Sequence, residues 1–206
     1  MKRPNRGNNL KNFFARNDVF SRKSDEQLIK SAIEGNQRAW LQLVKRYEKR
    51  VYNYSLRMSG NADDAMDIMQ DVLISVYRNL NNYRGDGVFV AWLFRIASFR
   101  CIDYFRRKKF HQSSDDLELM DVNNTFEPDA NLATAQSNRD MSVIMGCLPL
   151  EQRQVVELKY FQHFTFEEIG GQLGISSNTA KTRLYAALGR MKKESTNEQP
   201  ESCHLS

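Results

Sequence analysis

Along the chain the apolar positions Ala65, Ile68, Met69, Val72, Leu73 and Val76 recur at steps of three and four, which is one stripe of an amphipathic helix. Asp63, Asp64 and Asp67 fall in its first turns, where negative charge complements the helix dipole. The same spacing in Ala39, Trp40, Leu43, Val44, Tyr47, Val51, Tyr54 and Met58 predicts a longer helix, with Asn36 placed to cap it. Upstream, Ser24 followed by Gln27 gives a capping-box pattern for a helix through Glu34 that breaks near Gly35. Ser59-Gly60-Asn61 punctuates, and Asn81, Asn82, Gly85, Asp86 and Gly87 predict a loop. A fourth helix is expected from about Val88 to Lys109.

A second helical group follows a stretch with no period. It comprises a helix to Cys147, a break at Pro149, a helix to about Phe161, and a pair of helices meeting at Gly174. The expected fold class is all-α: two small helical domains joined by a flexible acidic linker. The divisions are a basic arm over 1–23, a first domain over 24–110, a linker over 111–135, a second domain over 136–193 and a polar tail over 194–206.

Charge sharpens this partition. The net charge is only +5, yet residues 1–23 hold seven Lys or Arg against the single acid Asp18, while 111–138 hold six acids and no Lys or Arg. Segments so different suit different partners, and the basic ones suit a polyanion. Cys101, Cys147 and Cys203 are widely spaced without a CxxC pattern, which argues against a disulfide framework and for a reducing, cytoplasmic setting. The longest apolar run, Val88 to Phe94, is far too short to span a bilayer, so no membrane insertion is expected. His111, His163 and His204 are scattered, with no nucleophile or metal spacing around them. No catalytic residue, metal or cofactor is expected.

Two stretches carry chemistry. In the paired helices, Ile169, Leu173, Ile175 and Leu184 can bury together, Gly170 permits close approach, and Gly174 can adopt positive φ to end the first helix. Ser176 or Ser177 then caps the second helix. Its exposed Ser177, Asn178, Thr179, Lys181, Thr182 and Arg183, with Tyr185 behind them, form a surface of hydroxyls, amide and cations. A recognition helix presents such groups to base edges and phosphates in a major groove. A plain helical hairpin shares the helix–Gly–helix pattern; the lack of any acid over 176–193 favours DNA.

The other stretch is the fourth helix. Phe89, Trp92, Leu93, Ile96 and Phe99 read chiefly as core, but Arg95, Arg100, Tyr104, Arg106 and Arg107 with Lys108 and Lys109 suggest a basic face with exposed rings. Such faces hold single strands by stacking and phosphate contact.

In order along the chain, these segments resemble one family. Asp64-Ala65-Met66-Asp67-Ile68-Met69-Gln70-Asp71-Val72-Leu73 is similar to the core-polymerase-binding helix of bacterial sigma factors. Tyr83-Arg84-Gly85-Asp86 with Phe89-Val90-Ala91-Trp92-Leu93-Phe94-Arg95-Ile96-Ala97 resembles the promoter-melting segment, and Asp103-Tyr104-Phe105-Arg106-Arg107 the end of the helix facing the minus-ten element. Leu148-Pro149 onward, with Tyr160, Glu167-Glu168-Ile169 and Thr179-Ala180-Lys181-Thr182-Arg183-Leu184, resembles the domain that reads the minus-thirty-five element. Two domains without a large middle one match the extracytoplasmic-function (ECF) group.

The resemblance implies a factor that binds core RNA polymerase, directs it to promoters and helps open them. It implies that Asp67, Gln70 and Asp71 face the clamp helices of the largest polymerase subunit, and that the second domain reaches the flap. It implies that Asn81, Asn82, Tyr83 and Arg84 pocket a flipped base supported by Trp92, and that the linker runs toward the RNA exit path. Both duplex promoter DNA and the melted strand would be partners, and the group often has an anti-sigma factor. Phe99 stands where the family usually has Asn, and Ala186 and Leu188 where Arg is frequent, which implies fewer strand and phosphate contacts, while Ala180 where Val is common implies lighter packing under the recognition helix. The alternative is a stand-alone helix-turn-helix regulator that binds duplex DNA without polymerase.

Overall fold

A computed structural model describes residues 23–85, 87–112, 141 and 144–196. The expected basic arm up to residue 22, the acidic linker from 113 and the tail from 197 lie outside the described residues. Every regular element among those described is helical.

Helix α1 spans Asp25–Ile33 and starts with the expected capping box: the Gln27 amide donates to Ser24 Oγ and the Ser24 amide donates to Gln27 Oε1. Helix α2 spans Gln37–Ser59, and Asn36 Oδ1 accepts from the amides of Arg38 and Ala39. α1 and α2 up to Leu43 form one compact unit, in which Leu28, Ile29, Ala32, Ala39 and Leu43 are buried. Val44 onward forms a second unit. The break between units therefore falls inside α2 and not in the acidic stretch.

Helix α3 spans Ala62–Asn79, capped by Asn61 Oδ1, which accepts from the Asp64 amide. A 3-10 turn, Leu80–Asn82, leads to the loop before α4, Phe89–Gln112. α3 and α4 pack side by side, and the stripe read from the sequence is the buried one: Ala65, Ile68 and Val72 are fully buried. Tyr54 and Phe94 meet at a ring separation of 5.4 Å, Tyr47 and Phe89 likewise. Each such aromatic or aliphatic burial contributes about 2 kcal/mol, so this core does not depend on polar contacts.

Helix α5, Leu150–Val156, follows Pro149 and widens into a π turn over Glu157–Phe161, closed by the Gln162 amide donating to the Glu157 carbonyl. Helix α6, Phe166–Leu173, and helix α7, Ser177–Thr196, complete the described residues, and α7 packs on both α5 and α6. α6 also packs on α4. Cys101 is a buried free thiol in α4, as a small core position should be, whereas Cys147 is disulfide-bonded, which the wide cysteine spacing did not suggest.

Candidate nucleic-acid interfaces

The acidic side of α3 and the basic end of α4 are stitched together. Asp64 accepts from the Tyr104 hydroxyl at Oδ1 and from Lys108 Nζ at Oδ2, both at 2.6 Å. Burial first, and then the bond to Asp64, push the Tyr104 phenol well above its ordinary pKa, so it stays a neutral donor. Asp71 accepts from Arg107 at 3.0 Å. Asp67 and Gln70 point outward and exposed, so Asp67, Gln70 and Asp71 do form one accessible stripe.

The basic face of α4 differs from expectation in one respect. Tyr104 is not an exposed ring; its hydroxyl is committed to Asp64 because the helix pair packs closely there. The exposed rings on this helix are Phe99, with the Arg95 guanidinium 6.0 Å from its centroid, and Phe110 near its end. Arg100 and Arg106 flank Asp103 at 4.0 and 3.1 Å, side by side on the surface.

At the start of α4, Phe89 and Trp92 form a three-ring cluster with Tyr83 of the preceding loop, with centroids 5.4 to 5.7 Å apart. The Tyr83 hydroxyl donates to the Gly87 carbonyl at 2.5 Å, which draws the loop closed across Gly85 at φ +76°. Trp92 thus supports the loop, and Asn81, Asn82 and Arg84 remain exposed on its rim.

The helix-turn-helix is built from local chemistry. Thr165 Oγ1 accepts from the Glu168 amide while the Thr165 amide donates to Glu168 Oε2, a capping box that fixes the start of α6. At Gly170 a Cβ would stand 2.7 Å from the Ile175 carbonyl oxygen, so only glycine lets the turn fold back this tightly. Gly174 ends α6 at φ 68°. Of the two candidate caps for α7 it is Ser176 whose Oγ accepts from the Thr179 amide. Ile169, Ala180, Leu184 and Ala187 are buried, whereas Leu173 and Ile175 are only partly so.

On α7, Asn178, Thr179, Thr182 and Tyr185 are exposed and Ser177, Lys181 and Arg183 half-buried. Arg183 is held by Glu151 of α5 at 2.6 Å, and Lys181 Nζ lies 5.6 Å from the Phe166 ring centre. These contacts orient the cations without covering them. Ala186 is exposed and Leu188 half-buried, so neither position supplies a cation to this face.

Residues 43–111 match the family model for Sigma-70 region 2, and residues 139–191 match that for Sigma-70, region 4. The ECF RNA polymerase sigma factor SigW of Bacillus subtilis is 30% identical over 176 residues, covering 81% of this chain and 94% of its own. The chain belongs to the ECF group of sigma-70 factors. Two solved structures share its fold. CnrH in complex with the cytosolic domain of CnrY aligns with a TM-score of 0.63 at 22% identity over 86% of this chain and 100% of that one. RpoE in complex with the anti-sigma factor NepR, from Bartonella quintana, aligns at 0.60 and 19% identity over 77% and 97%. This sigma factor therefore directs RNA polymerase to promoters, with core polymerase and promoter DNA as its partners, and the stand-alone regulator is set aside.

Sequence reasoning missed a set of buried charges in this sigma factor: Arg57, Arg153 and Glu157 are all buried. Arg57 and Glu157 each sit between apolar neighbours and Arg153 between two glutamines, and no spacing rule signals that charges on helices a hundred residues apart will meet. No described helix is long and apolar enough to cross a membrane.

Proposed function

We propose that the α3 stripe of Asp67, Gln70 and Asp71 docks on the clamp helices of the largest polymerase subunit. The loop of Asn81, Asn82, Tyr83 and Arg84, backed by Trp92, takes a flipped base of the minus-ten element, and Arg95, Arg100, Arg106 and Arg107 line the path of the melted strand. Opening is driven by binding energy for the unpaired strand. Ser177, Asn178, Thr179, Lys181, Thr182, Arg183 and Tyr185 read the minus-thirty-five element while the region 4 half rests on the flap. The factor works in the cytoplasm without catalytic chemistry of its own, and an anti-sigma factor, as in the RpoE complex with NepR, is a fitting further partner.

The observation that carries this reading is the coupling of α3 to α4 through Asp64, Tyr104 and Lys108, with Asp71 paired to Arg107. One rigid helix pair thereby offers an acidic face to a protein and a basic face to a strand. Run-off transcription on a library of upstream sequences, with purified core polymerase, tests it. Initiation that depends on this chain, from templates sharing two spaced elements, is the expected result. Initiation independent of the chain, or blind to one element, overturns the assignment of both faces.

A further inference from the structure

Helix α4 carries apolar side chains on its outer side as well as its inner one. The inner side closes the core with Leu93, Phe94, Ala97 and Cys101, all buried. Phe99 takes no part in that closure, and it is 50% exposed. A phenyl ring has no polar group to hydrate, so its exposed face forgoes burial. A single exposed ring is ordinary on a protein surface; the neighbours of this one are not.

At about 100° per residue, positions 95, 99, 103, 106 and 110 fall within roughly 80° of one another around the helix. That stripe reads Arg95, Phe99, Asp103, Arg106 and Phe110. The Arg95 guanidinium lies 6.0 Å from the Phe99 ring centre, one turn before it. Beyond the ring, Asp103 accepts from Arg106 at 3.1 Å and lies 4.0 Å from Arg100. One carboxylate against Arg95, Arg100 and Arg106 leaves the surroundings of Phe99 positive. The stripe ends at a second exposed ring, Phe110.

A ring set among cations suits a nucleobase on a backbone. The ring face stacks on the base, and the guanidiniums meet the phosphates on either side. An apolar protein partner would instead strip water from three arginines and give nothing back. A paired base is hidden in its stack, so only an unpaired one can lie on this ring. The ring also has neither donor nor acceptor, so it holds a base by its face and is blind to its edges.

We propose that Phe99 is a stacking platform for one unpaired base of the opened strand, indifferent to which base it is. This rests on the reading of α4 as the path of the melted strand. The expectation that Phe99 costs the chain a strand contact thereby reverses: an edge-reading contact is replaced by a face-gripping one.

The test is a titration of holoenzyme, the full chain with core polymerase, against a fluorescent fork duplex whose minus-ten region is single-stranded. A parallel set of forks carries an abasic site at each unpaired position in turn. One abasic position should weaken wild-type binding by roughly five- to a hundredfold. Phe99→Leu keeps apolar bulk and removes the stacking face. It should weaken binding of the intact fork by a similar factor, and the same abasic position should then cost nothing further. Phe99→Trp should bind at least as tightly as wild type, and affinity for core polymerase should be equal in all variants, which reports a folded chain. All four bases at the coupled position should bind wild type nearly alike, whereas Phe99→Asn, which can read edges, should favour one of them.

Wild-type affinity for the intact fork in Phe99→Leu holoenzyme, or abasic penalties that persist undiminished in it, overturns the platform. A strong base preference of the wild type at the coupled position overturns the indifference. Arg95→Ala and Arg106→Ala separate the platform from its premise. If both weaken fork binding and Phe99→Leu does not, the platform alone fails; if neither does, the strand path along α4 fails and takes the platform with it.

Discussion

Asp71 of α3 and Arg107 of α4 share a hydrogen bond of 3.0 Å, so a carboxylate proposed to face polymerase neutralises a guanidinium proposed to face DNA. Both side chains are about half exposed, at 45% and 60%, which limits the pair to about 1 kcal/mol or less. Such a pair orients without committing; either partner can displace it. Asp71→Ala should leave the thermal midpoint almost unchanged while weakening polymerase binding in a fluorescence titration. A large fall in stability would show the pair to be structural.

Asp67→Arg combined with Gln70→Ala should abolish polymerase binding with full helix content by circular dichroism, since both side chains are exposed and carry no packing. Undiminished affinity would move the docking surface elsewhere.

Gly170 and Gly171 are neighbours with opposite expected responses. A Cβ at Gly170 meets the Ile175 carbonyl oxygen at 2.7 Å, so Gly170→Ala should destabilise by about 1–3 kcal/mol in chemical denaturation. At Gly171 nothing lies within 4 Å, so Gly171→Ala should gain up to about 1 kcal/mol of helix propensity. Equal effects would contradict the tight turn.

Arg183→Ala should weaken minus-thirty-five binding by about 1–3 kcal/mol, measured with holoenzyme on duplexes differing only in that element. Glu151→Ala, which frees Arg183 from its 2.6 Å partner, should alter base preference more than it alters overall affinity. Unchanged preference in both variants would remove Arg183 from the reading set.

Burial pushes the Cys101 thiol up to about 12 from an ordinary value of 9.0. Since the folded value is the higher one, the stability this group contributes is intact below pH 9 and is lost as pH rises toward about 12, where the unfolded chain alone would already be ionised. Alkylation of the native chain at neutral pH should therefore spare Cys101 until denaturant is added. Rapid native alkylation would show that α4 is not covered as described.

The parts of this fold legible in the sequence were those with a period or a local bond. The α3 stripe and the caps at Ser24, Asn36 and Gly174 follow from spacing and from residues within a few positions of one another. Tyr104 was misjudged because its burial depends on Asp64, forty positions away, and an aromatic beside arginines reads equally well as a strand-binding ring. Arg57 and Glu157 left no trace at all: a charge on a helix face is read as solvated unless the opposite helix is known.

The π turn at Glu157–Phe161 works as a phase setter between two tasks of one chain. Each α-helical residue advances the helix by about 100°, and the extra residue held in this turn sets where the face carrying Arg153 of α5 and Glu157 of the turn points relative to the α6–α7 pair. Deleting one residue there would return the segment to ordinary helical pitch and swing one surface past the other by about a quarter turn. A single codon thus governs whether the surface that grips region 2 and the surface that reads DNA face their own targets, and an insertion scan through this turn should find it the least tolerant stretch of the region 4 half.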